Sequence, residues 1–273
     1  MIVCYAPGAG LGHLTRVRAY LHTVHKGQPA TIVTASPFGT DARVVGGHRI
    51  VRPPATGTTP DWLRDTLRDL APAELVVDAF PGGIAGEVTA AVPPPGTRTV
   101  HLARLLRLDA YRTVLPADPP RYDETWTVEP LTAPHRAYLA AISARVEPLA
   151  LADPEPGTGP DPDLTGAWLV VHTGPAAELA ELLDYARETA EVERLRPRLV
   201  LVTPQPPPEL PGDVHHLDRY PAWPLFAGAA RIISAAGCNI VRQAAPWRER
   251  HRMLPFPRRF DDQFARAART RTR

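Results

Sequence analysis

Residues 1–16 read MIVCYAPGAGLGHLTR. An apolar start, MIVCY, runs into a proline and three glycines at alternating positions, Gly8, Gly10 and Gly12, and then His13. A strand that breaks at a glycine-rich turn and continues into a helical pattern is how a nucleotide-binding α/β unit begins, with backbone N–H groups at the helix start facing an anion. The details depart from that use. A dinucleotide loop of the form G-x-G-x-x-G needs glycine where His13 stands, and a P-loop needs Gly-Lys-Ser/Thr, which is absent. The next apolar run, ATIVTASPFG at 30–39, offers no acidic residue for a ribose. What remains is exposed backbone at a helix start with an imidazole at its mouth. His13 reads either as a helix-start residue with a local hydrogen bond or as a general base, because imidazole titrates near neutral pH.

Outward from that loop, short apolar runs alternate with amphipathic stretches. MIVCY, ATIVTA, HRIVR, LVVDAF, RTVHLA and ETWTV read as strands of the first half, with helices at 14–26 and 61–70 among them. The second half repeats the alternation: AWLVVHT, a helix over AAELAELLDYARETAEVE, then RLVLVT, DVHHL, RIISAA and RMLPFP. Continuously apolar strands between helices predict parallel sheets covered on both faces. Residues 152–166, ADPEPGTGPDPDLTG, carry no periodicity and are rich in proline, glycine and aspartate. They predict a linker between two Rossmann-like domains, 1–151 and 167–273, whose ligands sit at the carboxyl ends of the strands, in the cleft between the domains.

Composition narrows the function. The 273 residues are 44% hydrophobic and 22% charged, with a formal net charge of +2, so no polyanionic partner such as nucleic acid is implied. The basic residues are nearly all arginine, Lys26 being the one lysine, and the terminal RAARTRTR reads as a solvated helix end. No stretch reaches the roughly 18 apolar residues of a membrane span, and the start is too short for a signal peptide. Cys4 and Cys238 form no disulfide or metal pattern, which suits a reducing cytoplasm.

Two further clusters carry chemistry. In LVVDAFPGG, Asp78 ends a strand at the same sheet edge as the first loop, where it would either orient the His13 imidazole or cap the following GGIAGEVTAA. Residues 231–267 read as strand, small-residue turn, helix, strand, and then Asp-Asp-Gln opening a last helix. Ser234 to Asn239 would present backbone N–H groups to a diphosphate. Asp262 and Gln263 would supply acceptors and a donor for sugar hydroxyls, and a helix cap explains Asp261 or Asp262 equally well. The Asp161–Asp163 DPD run lies in the linker rather than at a strand end, so a divalent-cation site is not expected there. His215 and His216 are adjacent on a strand and point to opposite faces, so they do not share an ion.

The segments SAAGCN and PFPRRFDDQFARA, the lead-in RYPAWPLFAGAARIIS, and the GLGHLTR and VVDAFPGG segments of the first half occur in this order. Together they resemble the GT-B glycosyltransferases, especially the branch of the peptidoglycan N-acetylglucosaminyltransferase. Relatives there read roughly S-A-A-G-Y-N-[ST]-x-x-E and P-x-x-R-x-x-[DE]-Q-x-x-R-A. The resemblance spans both halves and implies an α/β fold of two doubly wound Rossmann-like domains facing a cleft. It implies transfer of a hexose-type sugar from a UDP- or dTDP-linked donor to a hydroxyl acceptor, small or lipid-linked, without bound metal or resident cofactor. Gly10, Gly12 and Arg16 would border the acceptor, with His13 the base and Asp78 its partner, an arrangement that favours inversion. Gly174, in VVHTGP, would approach the phosphates together with Ser234, Gly237 and Asn239, while Asp262 and Gln263 would hold the donor sugar. Helix dipoles, backbone amides and positive side chains would neutralise the leaving diphosphate.

The chain departs from the pattern in three places. Gln243 stands where relatives have a ribose-binding glutamate, AAPWRERH replaces a small glycine-bearing turn, and the closing helices are expected to be missing or short. GLGHLTR is also similar to the G-x-G-H-x-x-R loop of UDP-sugar hydrolases, so a nucleotide-sugar hydrolase or epimerase is an alternative. A non-catalytic homologue acting as a binding partner is another.

Overall fold

The runs at 2–6, 30–34 and 74–78 are apolar and β-branched in their middles, and strands of that kind lie inside a parallel sheet covered on both faces. A computed structural model describes residues 1–156, 163–205, 207 and 209–271. The expected linker is thus described in part, while Asp161 of the DPD run and the last two residues of the basic tail lie outside the described residues. The chain divides into two compact units, Met1–Pro154 with Arg259–Asp262, and Glu155–Arg258 with Gln263–Arg273. A short piece from near the C-terminus therefore packs with the first unit, which the division expected at 152–166 did not foresee.

In the first unit the chain runs β1 (Ile2–Ala6), α1 (Leu11–His25), β2 (Ala30–Thr34), α2 (Ala42–Val45), β3 (Arg49–Val51) and α3 (Pro60–Leu70). It continues through β4 (Glu74–Asp78), β5 (Arg98–Ala103), α4 (Leu108–Arg112), β6 (Glu124–Thr127), α5 (Ala133–Ile142) and β7 (Val146–Pro148). The described strands form one parallel sheet in the order β3-β2-β1-β4-β5-β6-β7. Strand order reverses between β1 and β4, and the right-handed rule for parallel crossovers sends the connections on the two sides of such a point to opposite faces. β2 and β4 are buried along their whole length, whereas β3 and β7 at the edges are exposed or half-buried.

Local chemistry sets the helix ends. Thr59 caps α3 by accepting from the Trp62 N–H, with Pro60 as the first helical residue. Thr132 caps α5 the same way through the His135 N–H. By contrast α1 begins at Gly10 (φ −81°, ψ 157°) with no side-chain cap and no acidic residue in its first turn.

The second unit comprises β8 (Trp168–Val171), α6 (Ala176–Val192), β9 (Leu199–Val202), β10 (Val214–Leu217), β11 (Arg231–Ala235), α7 (Cys238–Gln243), β12 (His251–Leu254) and α8 (Gln263–Arg271). Its strands are again parallel, in the order β10-β9-β8-β11-β12, with the reversal between β8 and β11. Two apolar clusters fill it, one around Trp168, Val170, Leu182 and Ile233 and the other around Leu169, Val202, Phe226 and Ile232. Among the described residues no helix is long and apolar enough to cross a membrane.

Candidate active site

Ligands of open parallel sheets collect at the carboxyl ends of the strands, at the reversal of strand order. In the first unit that point lies between β1 and β4, and it gathers His13 and Asp78. The imidazole Nδ1 is 2.6 Å from Asp78 Oδ2, a contact across 65 residues of chain rather than a local helix-start bond. Arg16 grips the same carboxylate with both arms, Nε donating to Oδ1 at 2.5 Å and Nη2 to Oδ2 at 2.8 Å. Asp78 is fully buried and Arg16 nearly so, while the His13 side chain keeps 12% of its surface. The exposed edge of the triad is thus the imidazole.

Electrostatics follow from that order. Burial alone would raise the Asp78 carboxyl, but the Arg16 guanidinium and His13 outweigh it and hold the group at about 2. Burial pushes His13 below the usual histidine value; Asp78 pulls it back, while Arg16 and Arg104 push it down again. His13 is therefore a neutral imidazole near pH 7. With Nδ1–H directed at the carboxylate, Nε2 is the nitrogen able to accept a proton.

The glycines of the loop have different causes. A Cβ on Gly8 would fall 2.0 Å from His13 Cδ2 and 2.1 Å from Nε2, so Gly8 is the seat of the imidazole. Gly10 has an ordinary negative φ and a Cβ there would meet nothing within 4 Å, so nothing inside the chain requires it to be glycine. Gly12 lies in the first turn of α1.

Beyond Asp78 the backbone turns sharply. Ala79 sits at φ 67°, and the Phe80 N–H donates to Asp78 O at 2.9 Å, closing a tight turn of the strained γ type directly beside the carboxylate. The segment expected as a possible helix after Asp78 is instead a loop wound around a buried carboxylate. Glu87 accepts from the Ile84 N–H at 2.9 Å, the Ala85 N–H at 2.7 Å and the Tyr5 hydroxyl at 2.6 Å. Tyr111 bridges the Gly82 N–H and Gly83 O, and Tyr122 donates to Pro81 O. Gly83 and Gly86 have positive φ, and a Cβ on Gly83 would strike the Glu87 carboxyl. Asp78 therefore caps no helix.

Sequence reading missed this support, together with Arg104, Phe80 and Phe260. The Phe80 ring lies 5.7 Å from His13, and Tyr111 and Phe260 pack on it at 5.5 and 5.8 Å. The Arg104 guanidinium stands 5.2 Å from the Phe80 ring centroid and is ion-paired with Asp261. Asp261 also bridges to Leu106 in antiparallel fashion, so it is an anchor of the first unit rather than a helix cap. The signal that could have found the loop is the spacing of Gly82, Gly83 and Gly86 before an acidic residue.

In the second unit the reversal lies between β8 and β11. Gly237 caps α7 with its backbone alone (φ −73°, ψ 149°), and a Cβ there would meet only Ile240 Cγ2 at 3.6 Å, an ordinary contact. Asn239 is in the first turn of α7, and Gln243 is its half-buried last residue. Ser234 departs from the expectation. It is a fully buried residue within β11, its hydroxyl donating to Ala235 O and lying 2.8 Å from His251 Nε2, so it faces the protein rather than a diphosphate. Gly174 has an internal cause: its Cβ would fall 2.4 Å from His172 Nε2 and 3.0 Å from Glu178 Oε2.

Gln263 is 4% exposed and its amide oxygen accepts from the Phe256 N–H at 3.0 Å, so the side chain is held inside the second unit. Asp262 closes the segment that packs with the first unit, and Gln263 opens α8 in the second. Arg266, on α8, donates to Ala236 O at 2.8 Å and fastens the turn before Gly237. Among the described residues no group of three or more His, Cys, Asp or Glu could hold a metal ion.

Two parallel Rossmann-like sheets of this connectivity, joined in one chain, are the GT-B fold of glycosyltransferases. Neither a protein-family model nor a curated protein matches the sequence. Solved structures do. The glycosyltransferase SnogD from Streptomyces nogalater is 18% identical, with a TM-score of 0.56 over 93% of this chain and 81% of that one. The spinosyn rhamnosyltransferase SpnG complexed with thymidine diphosphate is 15% identical, with a TM-score of 0.60 over 99% and 84%. MurG from Acinetobacter baumannii is 13% identical, with a TM-score of 0.55 over 98% and 82%. A UDP-N-acetylglucosamine 2-epimerase from Rickettsia bellii shares the fold as well. At these identities the likeness is one of fold.

Proposed function

We propose that the protein is a glycosyltransferase that moves a hexose-type sugar from a UDP- or dTDP-linked donor to a hydroxyl acceptor, with inversion and without a bound metal. The observation that carries this reading is His13: a neutral, partly exposed imidazole with Nδ1 on a buried, arginine-locked carboxylate. In this reading the acceptor hydroxyl sits against His13 Nε2 and the open backbone at Gly10. As the acceptor oxygen bonds to the anomeric carbon, its proton passes to Nε2, and Asp78 stabilises the imidazolium. The bond from that carbon to the diphosphate breaks, and its electron pair stays on the phosphate oxygen. Arg16 acts through Asp78 and is a positioning residue.

The donor belongs to the second unit, where Gly237 and Asn239 would meet the diphosphate and Gln243 the ribose. Gly237 supports this because neither its φ nor its packing requires glycine. A donor role for Ser234 is not retained. Cys4 and Cys238 are buried and in no disulfide, which suits a cytoplasmic enzyme.

The test is calorimetric binding of UDP- and dTDP-sugars to the purified chain. At least one should bind; silence across the panel overturns the reading. The fold shared with an epimerase supports a second reading, in which water or the sugar itself is the reactant. Free or epimerised sugar formed without acceptor, and abolished in His13→Ala, would select it.

A further inference from the structure

Two arginines flank His13, and each is held by an aspartate. Arg16, on the same helix, is clamped by Asp78 at the end of β4. Arg104 directly follows β5, and Asp261 pairs with it across 157 residues of chain. In the register of β4 and β5, Asp78 pairs with Leu102, so Arg104 leaves the sheet two residues past the carboxylate that His13 touches. Its guanidinium stands 5.2 Å from the centroid of Phe80, and the same ring lies 5.7 Å from the His13 imidazole. The side chains of Arg104 and Asp261 are 9% and 15% exposed, so solvent screens the pair poorly.

Asp261 is seated by more than its charge. Its backbone bridges to Leu106, and Phe260 O accepts from the Arg107 N–H at 2.8 Å. The Phe260 ring packs on Phe80 and Tyr111 at 5.8 and 5.4 Å. We propose that Asp261 is a positioning residue of the His13 site, whose carboxylate holds Arg104 over Phe80 and offsets the charge that this arginine directs at the imidazole. This rests on the reading of His13 as the base. It gives a part to Asp261, whereas the resemblance pointed to Asp262 and Gln263.

The direction of the effect follows from Coulomb's law. A lone guanidinium near His13 opposes the imidazolium that forms when the acceptor proton arrives, and makes the ring a poorer base. A carboxylate on that guanidinium turns a single charge into a dipole, whose field falls off more steeply with distance. Asp78 does this for Arg16 while also holding Nδ1, so its two effects cannot be separated by substitution. Asp261 does it for Arg104 from the far side of Phe80. The charged groups acting on His13 are Asp78, which favours the imidazolium, and Arg16 and Arg104, which oppose it; Phe80 brings none. Beside Arg104, Glu129 accepts from the Leu105 N–H at 2.8 Å. His135 is held at about 4 by burial, with Arg104 adding to the shift and Glu129 opposing it, so it carries no charge near pH 7.

The test is an NMR titration of the full chain carrying histidine labelled with carbon-13 at Cε1, the His13 signal being the one that His13→Gln lacks. Asp261→Asn keeps an oxygen for Arg104 and should lower the His13 midpoint by about half a pH unit. Arg104→Gln should raise it by a similar amount. In the Arg104→Gln background, Asp261→Asn should move nothing further, because it acts through Arg104. Asp261→Glu keeps the charge and should leave the midpoint in place, and the contrast between the Asn and Glu variants decides the matter if Arg104→Gln folds poorly. A midpoint unmoved by Asp261→Asn, or an equal fall in the Arg104→Gln background, overturns this assignment alone, since no substrate is present. Midpoints that move as stated, with UDP- or dTDP-sugar consumed by His13→Gln at the unaltered rate, overturn the base reading and the assignment with it.

Discussion

In the proposed mechanism His13 can act as a base only while Asp78 stays ionised and Gly8 stays small. Because burial sets the imidazole below its usual value, kcat/KM should fall on the acid side with a midpoint below that of an ordinary histidine. Asp78→Asn removes the group that favours the imidazolium and frees the Arg16 charge. The midpoint should move lower still and kcat should drop by about a hundredfold or more, read from pH–rate profiles. The same carboxyl sits at about 2 against an ordinary 3.8, so it stabilises the fold above pH 4 and loses that contribution as pH falls toward 2. The unfolding free energy from urea titrations should fall across that window by an amount on the order of 2 kcal/mol. The glycines divide: Gly8→Ala should displace the ring and cost about a hundredfold in kcat with the fold retained, since misplacement by about 1 Å has that effect. Gly10→Ala should leave stability within about 0.5 kcal/mol and raise the acceptor KM. The His13 and Asp78 pair was legible because strand-end residues at one sheet edge converge. The role of Arg16 was not, because a sequence does not show which way an arginine on a helix turns.

Elements that repeat a strong period were legible, and those defined by tertiary contact were not. The apolar runs of β1, β2, β4, β5, β8, β9 and β11 announce themselves. The three-residue edge strand β7, which ends on Pro148, has no such pattern and owes its pairing to β6. The 79–87 loop could pass for a helix start until its glycines are given positive φ and Glu87 is placed beneath them. Ala71 shows how little backbone preference decides by itself. It ends α3 in the left-handed region (φ 43°, ψ 60°), its N–H bonded to Leu67 O, where glycine is at ease and alanine is not. Ala71→Gly should raise stability by about 1 kcal/mol, visible as a higher urea midpoint with an unchanged slope.

At the scale of the molecule, two α/β units were readable from the unpatterned stretch at 152–166, but the contribution of Arg259–Asp262 to the first unit was not. Nothing local marks Phe260 as the third ring beside Phe80 and Tyr111, or Asp261 as the counter-ion of Arg104. A fragment of residues 1–154 should therefore be less stable than the same residues in the whole chain. A peptide spanning 256–264, added in trans, should raise its melting temperature saturably, and the Phe260→Ala peptide should not. The ribosome meets the same constraint. The surroundings of residue 13 are made first, yet they wait for the Arg259–Asp262 strap, on the order of a hundred residues further on, before they are finished. At synthesis rates of about 5–20 residues per second the nascent first unit spends roughly 5 to 20 seconds without that strap. Its aromatic face is a natural client for chaperones until the last tenth of the chain emerges.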